Sequence, residues 1–76
     1  MVYIFAERIP GDFIDQSNRL KEHLPENLKH LSLHPAEIVD DIDHAIISLI
    51  ALIQKWRQLR FVILDETGKC LDAFFY

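Results

Sequence analysis

Apolar residues form short unbroken runs near both ends of the chain and recur at helical spacing between them. Residues 2–7 set Val2, Ile4 and Ala6 against Tyr3 and Phe5, which predicts a strand that is apolar on both faces. Ile9-Pro10-Gly11 ends it with two chain breakers. Asp12 reads as the N-cap of a helix running to about Leu24, with Asp15 in its first turn and Pro25 as its stop. Phe13, Leu20 and Leu24 fall on one side of that helix, with Ile14 and Ser17 at its margins.

Residues 25–34 predict a short helical turn around Glu26–Lys29. The tail "KHLSLH" alternates polar with apolar, as either a loop or a short edge strand with Leu31 and Leu33 inward would. His34 as N-cap, Pro35 at N1 and Glu37 at N3 then predict a second helix reaching about Gln58. Its acids gather at the start, and Lys55 and Arg57 lie in its last turn, the gradient that a helix dipole favours. "RFVIL" and "CLDAFFY" flank an acidic loop ending in Gly68-Lys69 and predict a hairpin with Gly68 at positive φ. The expectation is one α+β domain over residues 1–76. Its order is β-α-(β)-α-β-β, a mainly antiparallel sheet with a C-terminal hairpin packed on two helices.

The stretch "AIISLIALI" asks what covers it. At helical spacing Ile38, Ile42, Ala45, Leu49, Leu52 and Trp56 form one seam, and Val39, Ile46, Ile50 and Ile53 a second. Together they span about 160° of the helix, with Ser48 on the wet side and Ile47 on the polar flank. The first seam also follows 4-3-4-3 spacing, so a helix–helix dimer contact is the alternative to a plain core helix. In the hairpin, Phe61 and Ile63 oppose Val62 and Leu64. Leu71, Ala73 and Phe75 oppose Cys70, Asp72, Phe74 and Tyr76. A sheet apolar on both sides asks for two covers, and two helices cover one side well. Tyr3, Phe5, Phe74 and Tyr76 are therefore expected on a face that meets a partner or a second copy; the alternative is a thin sandwich closed by the chain itself.

Seventy-six residues allow only a small core. The single Cys70 excludes an intrachain disulfide and reads as a small hydrophobe in a reducing compartment. The start of the chain lacks a basic leader and no apolar run approaches the roughly 20 residues of a bilayer span, so a cytoplasmic protein without membrane contact is expected. Eight Lys and Arg stand against twelve Asp and Glu, a net charge of −4, which disfavours nucleic acid and suits a basic protein surface.

Little in the sequence points to chemistry. Asp40, His44 and Ser48 have the residue types of an acid-base-nucleophile relay, but one straight helix spreads them along its axis without oxyanion donors. His30 and His34 have metal-ligand spacing with His23 before them, yet on a strand the first two would lie about 13 Å apart. Gly11 and Gly68 start no phosphate-binding loop. No catalytic residue, metal ligand or cofactor is therefore assigned. Glu37, Asp40, Asp41 and Asp43 are expected as an acidic dock, which the hairpin-tip acids Asp65 and Glu66 would extend. The function expected is a non-catalytic protein-protein interaction module, a small acidic inhibitor, antitoxin or immunity-type factor, or a phage-encoded anti-defence protein, that occludes a larger target. The alternatives are a dimeric nucleic-acid-binding regulator, read from Gln16, Asn18, Arg19 and Lys21, and a small enzyme or ligand-binding domain.

Overall fold

A computed structural model describes residues 1–56 and 60–75, with side chains as far as Ala73. The elements are β1 (Val2–Ala6), a 3-10 turn (Gly11–Phe13) leading into α1 (Ile14–Lys21), a second 3-10 turn (Glu26–Leu28), β2 (His34–Val39), α2 (Ile42–Lys55), β3 (Arg60–Asp65) and β4 (Cys70–Phe75). The sheet order is β2-β1-β3-β4 and all three pairings are antiparallel. The expected α+β architecture is therefore the one observed, with the strand between the helices present.

Every residue of β1 is buried. Its alternation divides the interior in two. Val2, Ile4 and Ala6 join Phe61 and Ile63 beneath Ala45, Leu49 and Leu52 of α2. Tyr3 and Phe5 join Leu64 on the other face beneath Leu24 and Leu28, with Leu33, Ile38 and Val62 packed around them. One cover is a helix. The other is the irregular segment that carries Leu24, Leu28 and Leu33. The chain closes both sides of its central strands itself, with a helix on one side only.

Several boundaries differ from the sequence expectation. His34 and Pro35 begin β2, not α2. Proline is tolerated both at a helix start and on an edge strand, because neither position requires its missing N–H. Here β1 needs a second neighbour, and the β-branched pair Ile38 and Val39 supplies one face of β2 each. The register shifts opposite Ile4 and Phe5, where Ala36 is the extra residue of a bulge. The edge strand is thus not "KHLSLH": Leu31 is exposed, and the strand starts at His34. α2 begins instead behind Asp41, whose Oδ1 accepts the His44 amide at 2.9 Å. It ends at Lys55; Arg57 and Gln58 lie outside the described residues.

The first helix is shorter than expected. Asp12 lies in the 3-10 turn and caps nothing; Phe13 is the N-cap of α1, without a side-chain bond. Leu24 falls beyond the helix, after the chain has crossed to the other side of the sheet. Ser17, expected at a margin, is the buried contact. Its hydroxyl donates to the Pro35 carbonyl at 2.8 Å and ties α1 to the edge strand. Phe13 meets Trp56 edge-on, with ring centroids 4.6 Å apart, which joins the start of α1 to the end of α2.

The hairpin turn follows the expectation closely. Asp65 Oδ1 accepts from the amides of Thr67 and Lys69 and from the Thr67 hydroxyl, and that hydroxyl is the main cause holding its carboxyl below the ordinary value. Gly68 has φ +88° and donates to the Asp65 carbonyl. The tip is tied down, since Asn27 Nδ2 donates to the Glu66 carbonyl at 3.1 Å. Cys70, read as a small hydrophobe, is exposed on the edge strand.

Two substitutions test this packing. Ser17→Ala removes the donor to a buried carbonyl and is expected to lower unfolding free energy by about 1–2 kcal/mol in urea titration. Gly68→Ala has ordinary space around its new Cβ, the nearest atom being 3.6 Å away on Leu28, so its cost is the left-handed backbone alone, about 1–2 kcal/mol. An unchanged urea midpoint for either variant would contradict the corresponding contact or turn.

Candidate interaction surface

α2 has two apolar sides. Ala45, Leu49 and Leu52 face the sheet, with Ile53 and Trp56 packed beside them. Ile47 is 67% exposed, Ile50 55%, Ile46 39% and Ile42 36%. The two seams read from the sequence are therefore not equivalent. The first is core except at Ile42, and Ile38 belongs to β2. Of the second, only Ile53 packs within the helix; Val39 belongs to β2, and Ile46 and Ile50 face outward. α2 lies over β1 and β2. The surface beneath it is narrower than the apolar arc it carries, so Ile47 and Ile50 are left mostly in water and Ile42 and Ile46 partly so.

The residues expected on a partner face are placed differently. Tyr3 and Phe5 are 4% and 0% exposed and sit in the core beneath Leu24 and Leu28. Burial, then the charge of Glu66, raises the Tyr3 phenol above its ordinary value. Neither is available as a free docking face in this fold. The Phe74 side chain and Tyr76 lie outside the described residues. The unshielded apolar surface is on α2, with Leu71 and Ile14 as further exposed positions. The exposed Ile47 was legible from its place on the polar flank, but nothing in the periodicity separated Ile46 and Ile50 from the core seam.

Of the acids expected as a dock, Asp40, Asp41 and Asp43 gather at the start of α2, whereas Glu37 lies apart from them, beside Lys55 near the end of that helix. Glu37 is exposed on β2, Asp40 lies in the bend after it, Asp41 is the cap and Asp43 is in the first turn. Asp41 also accepts from His44 Nδ1 at 2.8 Å. Its carboxyl is held below its ordinary 3.8, first by the His44 amide and then by the ring. The ring is raised above its ordinary 6.5, first by that hydrogen bond, then by the charge of Asp41, with Asp40 and Asp43 adding to it. His44 is thus committed to Asp41 through Nδ1, and no hydrogen bond links Asp40, His44 and Ser48 among the described residues. No group of three or more metal-ligating side chains occurs among those residues, and His30 and His34 lie on a turn and a strand. Asp65 and Glu66 are at the hairpin tip, where Glu66 pairs with the N-terminal ammonium at 3.3 Å.

The fold also brings together residues that the sequence leaves far apart. An open cleft of about 630 Å³ lies between the start of α1 and the end of α2, with Asp12, Gln16, Glu37 and Lys55 around Phe13 and Trp56. It sets the carboxylates of Asp12 and Glu37 and the ammonium of Lys55 around the two rings. No helix among the described residues is long and apolar enough to cross a membrane. No protein-family model, curated protein or solved structure matches the chain.

The sign of the pH effect at the cap follows from the two shifts. His44, raised in the fold, stabilises fully below pH 6.5 and loses that contribution as pH rises through its folded value. Asp41, lowered in the fold, stabilises above pH 3.8 and loses that contribution as pH falls through its folded value. The cap is therefore strongest between those limits. In an NMR titration the His44 ring is expected to titrate above 6.5, and Asp41→Asn to bring it back toward that value. A wild-type midpoint at or below 6.5 would contradict the pair.

Proposed function

We propose that this chain is a non-catalytic protein-protein interaction module whose docking element is α2. The observation that carries the reading is the run of outward-facing isoleucines at 42, 46, 47 and 50, beside exposed Asp40, Asp41 and Asp43. Apolar side chains left in water at helical spacing are the usual substance of a helix docking surface. Of the neighbouring acids, Asp41 has a structural role as a cap. Asp40 and Asp43 are exposed with their charges near the His44 ring, and their position suits attraction of a basic partner surface. A small acidic inhibitor of the antitoxin, immunity or phage anti-defence kind, acting in the cytoplasm as a homodimer by occluding its target, is the form of this function that size and charge favour.

The test separates face from core. Ile46→Ser is expected to weaken capture of a protein target at least about tenfold while leaving the fold intact by circular dichroism. Charge reversal at Asp40 and Asp43 is expected to slow association and flatten its salt dependence, with little change in dissociation. Binding rates that stay constant across these variants would remove α2 and its acids as the dock.

A further inference from the structure

The outermost line of α2 is Asp43, Ile47, Ile50 and Gln54, all exposed. Their spacing is 4-3-4, and at about 100° per residue they fall within a narrow arc on the side opposite Ala45, Leu49 and Leu52. That spacing reads the same in both directions. Two copies of α2 laid antiparallel about a twofold axis therefore bring Ile47 of each against Ile50 of the other, and Asp43 of each against Gln54 of the other. The chemistry matches as well as the spacing. The Gln54 amide donates and the Asp43 carboxylate accepts, and the helix dipoles run in opposite directions. The parallel arrangement would instead set Asp43 against Asp43.

We propose that a second copy of this chain occupies this face, through an antiparallel α2–α2 contact centred on Ile47 and Ile50. The proposal rests on the reading of α2 as the docking element and names its occupant. From their exposures, Ile42, Ile46, Ile47 and Ile50 leave on the order of 350 Å² in water per protomer, within the range of the largest apolar patch on a monomer, which is often functional. Paired across the axis with the polar ends of the seam, that area falls in the weak, reversible class of interface, below about 1,200 Å² in total. The strand edges offer less. β2 carries Pro35 and is bonded to α1 through Ser17. In β4 the Asp72 carboxylate accepts the Ala73 amide at 2.8 Å, which occupies a donor that strand addition would use. Asp40 and Asp41 remain outside the four-residue seam, one pair at each end of the assembly.

The experiment is sedimentation equilibrium of the full chain from low micromolar to millimolar concentration, with circular dichroism of each variant as the control on folding. The wild-type chain is expected to show a reversible monomer–dimer equilibrium. Ile47→Ser is expected to weaken it at least about tenfold. Gln54→Lys places an ammonium opposite Asp43 twice per dimer and is expected to tighten it about three- to tenfold; Gln54→Glu is expected to weaken it by a similar factor. A folded wild-type chain that remains monomeric throughout overturns the proposal. So does a dimer indifferent to the charge at position 54, because that contact is not this seam. Loss of a heterologous target on Ile46→Ser in a chain that stays monomeric would overturn the second copy and leave the docking role of α2 standing.

Discussion

The whole structure turns on burying β1. All five of its residues are inaccessible, and they point alternately to two sides of the sheet. A strand of that kind needs a hydrogen-bonded neighbour on each edge and an apolar cover on each face. In this chain β2 and β3 are the neighbours, and α2 is one cover. The second cover comes from a segment with no long helix, in which Leu24 and Leu28 fill the space over Tyr3 and Phe5. Two polar contacts hold that segment and its approach in place. Ser17 anchors α1 to the Pro35 carbonyl, and Asn27 reaches the hairpin tip at Glu66.

Covering both faces has a consequence for the surface. The apolar residues of β1 are used up inside, so Tyr3 and Phe5 form no docking face. The edges are protected by local devices: proline, a bulge and a docked helix on β2, and a carboxylate capping a backbone amide on β4. Among the described residues, half of the exposed large apolar side chains lie together on α2. That helix is apolar over more of its circumference than a thin sheet can contact, and the excess lies on its outer line at Ile47 and Ile50 and along its flank at Ile46. The acids at its N-terminal end complement the helix dipole and also place negative charge beside this surface. One helix thus covers one of the two core clusters and carries the surface on which the functional reading rests.

The sequence by itself determined the local structure wherever a few neighbouring residues decide it. Alternation places Val2, Ile4 and Ala6 opposite Tyr3 and Phe5, and the structure sends those two sets to separate cores. The Asp65–Lys69 loop with Gly68 at φ +88° follows from turn chemistry, and the 3-10 turn at Glu26–Leu28 and the order of elements were equally readable. Residues 34–41 show where such reading stops. His34, Pro35 and Glu37 satisfy helix-start rules, yet they are strand, because β1 had an open edge and proline fits an edge strand as well as a first helical turn. Tyr3 and Phe5 make the same point for the site. Their alternation is a property of the chain, but whether a face is covered depends on where Leu24 and Leu28, some twenty residues away, come to rest. Only the tertiary structure assigned Ile46 and Ile50 to solvent, since periodicity ranks the sides of a helix and cannot measure the width of what lies beneath it.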